Sequence, residues 1–138
     1  MSNTFSKEEK AAIRAAAAEA KAAKEGADLE AACLTAIADM TGSDKDLAET
    51  LHQLVKSHTA LAAKTWYGMP AYANGDGKVV VFFQSAAKFK ARYATIGFQQ
   101  DANLDEGNFW PSSFAVTKLT AADQTRLVAL LEKAVGKV

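Results

Sequence analysis

The sequence predicts an α+β domain in which helices pack on a four-strand antiparallel meander. Three observations carry this. The chain up to His58 reads in helical period, rich in Ala, Leu, Lys and Glu, with no β-forming run. Residues Thr65 to Phe83, TWYGMPAYANGDGKVVVFF, then hold the densest run of aromatic and β-branched residues, folded back by Asn74-Gly75-Asp76-Gly77. From Thr120 the helical period returns.

At 138 residues the chain has the size of one domain that buries a core without disulfides or a structural metal. We assign residues 1–27 to an N-terminal helical extension and 28–138 to a single α+β domain. Sixteen basic residues balance sixteen acidic ones, so no global field draws the protein to nucleic acid or to an anionic membrane. The single cysteine, Cys33, the absence of a signal-like apolar N-terminus and the absence of a run of about 20 apolar residues point to the cytoplasm.

In chain order, Ser6 caps a first helix with Glu9 three residues on, and Gly26 supplies its stop. Beyond Ile13 the apolar residues of this helix are all alanines, so it is expected to dock loosely, its mixed charges solvated or turned to a partner. Asp28 caps a second helix with Leu29, Cys33, Ala36, Ile37 and Met40 on one stripe, which makes Cys33 a small core residue rather than a nucleophile. Ser43 is expected to cap a third helix, whose stripe is Leu47, Leu51, Leu54, Val55 and His58. His52 and His58 lie about 240 degrees apart on that helix and cannot share a metal as an i, i+4 pair does.

After the hairpin, Lys88 to Phe98 alternates and predicts a strand, with Phe89, Ala91 and Tyr93 on one face and Lys88, Lys90 and Arg92 on the other. Those cations form either a solvated outer face or an anion-binding stripe. Val79 to Phe83 is apolar without alternation, which calls for cover on both faces of a central strand: a pocket, a loop around Trp110, or a second subunit. The candidate ligand site is therefore Trp66, Tyr67 and Tyr72 with Lys88, Lys90 and Arg92. The loop QQDANLDEGN carries Asp101, Asp105 and Glu106, an oxygen-rich set suited to a hard cation or to plain solvent exposure. A strand from Phe114 to Leu119 follows, and Thr120 with Asp123 forms a capping box for a last helix that buries Leu127, Leu130, Leu131 and Ala134 and ends at Gly136. No nucleotide-binding or hydrolase motif appears, so the chain is expected not to be an enzyme.

The combination TWYGMPAY, GKVVVFF, KFKARYATIGF and LDEGNFWPSSFAV resembles the YdhG-like family of bacterial domains of unknown function, over Ala27 to Val135, with WYGMPAY as its most specific part. The resemblance implies a frataxin-like two-layer architecture. Some members carry the label iron chaperone, which implies iron as a transient cargo delivered to iron-sulfur or haem assembly proteins. On this chain such binding falls to Asp101, Asp105 and Glu106, because the first helix mixes Lys and Glu almost evenly. The alternatives are a binder of small anionic or aromatic ligands and an interaction module that dimerises through its sheet. We expect no nucleic-acid or membrane partner, and a monomer or homodimer.

Overall fold

The computed structural model describes residues 5–24 and 28–136, the side chains of 22–24 excepted. Four helices and five strands follow one another as α1 (Lys7–Lys24), α2 (Leu29–Ala38), α3 (Gly42–His58), β1 (Ala62–Trp66), β2 (Met69–Ala73), β3 (Val79–Gln84), β4 (Ala94–Phe98), β5 (Ser113–Val116) and α4 (Ala121–Ala134). The strands form one antiparallel sheet in the order β1-β2-β3-β4-β5. The predicted α+β class and meander are therefore present, with five strands rather than four.

The additional strand comes from a second tight turn. Trp66 pairs with Met69, and the two residues between them, Tyr67 and Gly68, have φ of 53° and 81°. Positive φ at both central positions is what a two-residue hairpin of this hand demands. WYGMPAY is thus two strands and a turn, not the single strand read from the sequence. The expected turn at 74–77 is also present: the Asn74 side chain accepts from the Asp76 and Lys78 amides, both at 3.0 Å.

Register decides which side chains meet the helices. Ala63, Tyr72, Val81 and Phe98 stand opposite one another across four strands, as do Phe83 and Ile96 beside them. These residues join Cys33 and Ile37 of α2, Leu47, Leu51 and Val55 of α3 and Leu127 and Leu131 of α4 in one core. The helical stripes read from the sequence place most of these residues correctly. Between Tyr72 and Ala73 the register shifts so that Ala73 pairs with Val79, which lets Val80 and Val81 both be buried. That bulge accounts for the two adjacent buried valines in the apolar run.

On the opposite face the row is Lys64, Ala71, Phe82, Gly97 and Ser113. Trp66 lies on that face too and packs on Phe82, ring centroids 5.4 Å apart. Phe82 covers Gly97 so closely that a Cβ there would come 2.3 Å from its Cζ. Both rings are partly rather than fully buried.

Two further expectations change. The strand predicted over Lys88–Phe98 is confined to Ala94–Phe98, and residues 86–90 form a turn instead. The reason is Asp44, only 6% exposed, whose two carboxylate oxygens accept from the Ala86 and Ala87 amides at 2.9 and 3.0 Å and pull that segment off the pleat. The third helix begins earlier than expected: Thr41, not Ser43, is its N-cap, without a side-chain capping bond. The other caps stand as read. Ser6 and Glu9 exchange bonds at 2.8 and 3.1 Å, the Asp28 carboxylate accepts from the Ala31 amide, and Thr120 and Asp123 form a reciprocal box. The stop assigned to Gly26 lies outside the described residues.

Replacing Gly97 by Ala should lower stability by about 1–3 kcal/mol, the usual cost of forcing atoms into a packed site. In urea titrations, Phe82→Ala should make a second change at Gly97 nearly neutral, so the two effects should fall well short of additivity.

Candidate functional site

Three regions bring chemistry-bearing side chains together, and none is the six-residue site expected from the sequence. Trp66 and Tyr67 stack edge to face with centroids 5.1 Å apart, and Tyr67 is 41% exposed. Tyr72 points into the opposite layer and is wholly buried. Lys90 is exposed and only 3.9 Å from Glu8 of α1, while the Arg92 guanidinium lies over the Tyr93 ring at 5.1 Å. The stripe of three cations does not exist because the strand that would have aligned them is a turn. Among the described residues of that expected site, Lys88 lines one cavity and Trp66 a separate one.

The first region surrounds the Tyr72 hydroxyl. His52 Nδ1 lies 3.0 Å from it and Cys33 Sγ 4.0 Å. With the imidazole neutral, the thiol proton can go to the phenol oxygen and the phenol proton to Nδ1, so each buried donor has an acceptor. Burial pushes the Tyr72 hydroxyl and the Cys33 thiol up from their ordinary values, which keeps both protonated. Burial also lowers His52, with Lys56 acting in the same direction and Glu30 against it. Cys33 is the inert core thiol expected from its stripe. The role of His52 left no mark in the sequence, since its partner lies 20 residues away on a strand.

The second region is a cavity of about 390 Å³ between the end of α2, the start of α3, the β1–β2 turn and the segment after β3. Ala36, Met40 and Ala87 give it apolar wall, and Thr41, Asp39 and Lys88 give it polar rim. Asp44 borders it, with both oxygens occupied by backbone amides. The Lys88 ammonium stands over Gly68, 3.0 Å from where a Cβ would project.

The same turn receives α1. The Glu19 carboxylate accepts from the Tyr67 amide with one oxygen and from the Gly68 amide with the other, each at 2.8 Å. The extension is thereby docked on the domain, a contact the sequence did not announce because it spans 48 residues. Its inner stripe, Ala11, Ala12, Ala15, Ala16 and Glu19, is half-buried.

The third region is the loop of Asp101, Asp105 and Glu106. All three are exposed, and Glu106 Oε2 lies 3.3 Å from the Lys133 ammonium. Among the described residues no three His, Cys, Asp or Glu side chains are grouped so as to hold a metal ion. Likewise, no helix among them is long and apolar enough to cross a membrane.

A depressed His52 pKa has a defined consequence. The folded form holds the imidazole neutral below the unfolded value of about 6.5, so the stabilisation is complete above that pH and declines as pH falls through it. Urea midpoints should drop between pH 7 and 5, and His52→Gln should flatten that part of the profile. A profile of unchanged slope in the variant would remove His52 from the account.

Searches of protein-family models, of curated proteins and of solved structures return no match to this chain, so the reading of its sites rests on its own residues.

Proposed function

We propose that this chain is a small-molecule binding domain rather than an enzyme, and that the ligand occupies the cavity between the β1–β2 turn and the α2–α3 connection. The observation that carries this is Lys88. Its ammonium stands at the cavity edge over Gly68, and among the described residues no carboxylate lies within ion-pair distance of it. A cavity of about 390 Å³ is in the size range of small-ligand sites, and its lining sets Ala36, Met40 and Ala87 beside the polar Asp39, Thr41, Asp44, Ser85 and Lys88. Binding is favoured over catalysis because Asp44, the buried carboxylate at this site, has both oxygens committed to backbone amides. This is the anionic-ligand alternative drawn from the sequence, moved from the sheet face to the loops and reduced to one of its cations.

Thermal-shift screening with small organic anions should find compounds that raise the melting temperature. Lys88→Ala should abolish that rise while leaving the free protein within about 0.5 kcal/mol of wild type, as for other exposed residues. Equal responses in the two proteins would remove Lys88 and this cavity from the function.

The family resemblance supports a second reading, a bacterial iron chaperone that hands iron to iron-sulfur or haem assembly proteins. The exposure of Asp101, Asp105 and Glu106 on one loop speaks for it. Hard-cation sites draw six to eight oxygens, so this loop would need further ligands from water or a partner. Anaerobic titration with ferrous iron should then give micromolar binding that the double variant Asp105→Ala, Glu106→Ala loses. No uptake, or uptake unchanged in the variant, excludes it.

A further inference from the structure

The β1–β2 turn does more than reverse the chain. Its two successive amides, on Tyr67 and Gly68, both point outward and converge on a single carboxylate, one oxygen each, at 2.8 Å. Successive backbone N–H groups in a turn of positive φ form a concave anion receptor, and two parallel bonds to one carboxylate are the strong, charge-assisted kind. The Lys88 ammonium stands beside Gly68 on the cavity side, yet Glu19 is not within ion-pair distance of it. The receptor therefore has a cationic wall that its present occupant does not use.

That occupant belongs to a weakly held element. The inner stripe of α1 is alanine apart from Glu8 and Glu19, while its larger Ile13 is 46% exposed. Alanine methyls bury little apolar area, and the contact of Glu8 with the exposed Lys90 at 3.9 Å adds little more. Glu19 is thus the principal polar anchor of α1 to the turn. A turn whose amides are held by one carboxylate can exchange it for another.

We propose that the Tyr67 and Gly68 amides, with Lys88 beside them, form a carboxylate-binding site which α1 plugs with its own Glu19, and that the ligand is a small organic acid whose apolar body lies in the adjoining cavity. The inference rests on the ligand-binding reading above and names its chemistry. The acid replaces Glu19 on the two amides, draws the exposed and flexible Lys88 side chain toward it as counter-ion, and lays its hydrocarbon part against Ala36, Met40 and Ala87. Release of α1 is the cost of binding, so apparent affinity is set by the fraction of molecules in which the helix has let go.

Sodium benzoate is a suitable probe, titrated into the full-length nitrogen-15-labelled protein against sodium chloride at equal ionic strength. In wild type, benzoate should shift the Tyr67 and Gly68 amide resonances together with those of Met40 and Ser85, and should speed hydrogen exchange along α1. In Glu19→Ala the same resonances should respond with an affinity at least about ten-fold tighter, since the competitor is gone. Glu19→Gln, which keeps the side-chain shape, should fall between, and Lys88→Ala in the Glu19→Ala background should lose the gain. Dispersion of the spectra confirms that each variant is folded. Shifts at Met40 and Ser85 without Tyr67 and Gly68, or equal affinity in wild type and Glu19→Ala, overturn the plug while leaving the ligand-binding reading in place. No shift at Tyr67 and Gly68 in any variant also overturns it, as does inorganic phosphate binding there more tightly than benzoate. The ligand-binding reading itself falls only to the anion screen with Lys88→Ala.

Discussion

The register that sets Tyr72 opposite Val81 and Val81 opposite Phe98 is the constraint on which the rest of the sheet depends. A one-residue slip in a strand exchanges its two faces, so this register sends Val81 and Phe83 to the helices and Phe82 away from them, while the bulge beyond Tyr72 adds Val80 to the buried set. Val80, Val81 and Phe83 are buried in the core, and Phe82 goes to the other side. Gly97 opposite Phe82 is the matching vacancy, the one position in β4 where a ring can lie flat on the backbone. Trp66 then completes the cover from β1. The aromatic pair on the second face follows from this regular register, with Phe82 opposite Ala71 and Gly97, rather than from any need for a pocket there.

A second theme is the use of carboxylates as ligands for loop backbone. Asp44 on α3 holds the Ala86 and Ala87 amides, and Glu19 on α1 holds those of Tyr67 and Gly68. Each satisfies two turn N–H groups, and each ties a helix to a turn far away in sequence. Both turns border the cavity. The walls of the candidate site are thus set by two acidic side chains, which a helix can place more accurately than loops can place themselves.

Helices were legible because their signals are local. The boxes Ser6 with Glu9 and Thr120 with Asp123, the Asp28 cap and the leucine stripes of α3 and α4 all lie within a few residues of what they control. The turn at Tyr67-Gly68 escaped notice because only its glycine is a turn former, and an aromatic residue at φ of 53° is uncommon. The strand misread over Lys88–Tyr93 has a true period-two pattern, overridden by a carboxylate 42 residues earlier in the chain. His52, Asp44 and Glu19 act through partners 20 to 49 residues away, and no spacing rule reaches that far. Of the proposed site, then, Lys88 was legible as a candidate cation, while the groups that give it a place were not.

The outer edge of β5 carries a consequence for how the protein behaves in company. β5 is an end strand, and its free backbone is the place where a foreign strand could continue the sheet. It is four residues long, with Pro111 just before it and Lys118 just after it. A proline cannot donate to a ladder, and a lysine resists desolvation, so an added strand would find room for only a few bonds before meeting one or the other. Sheet growth on this side is self-limiting, a protection against fibrous assembly in a crowded solution that owes nothing to the core and everything to how briefly the chain stays extended.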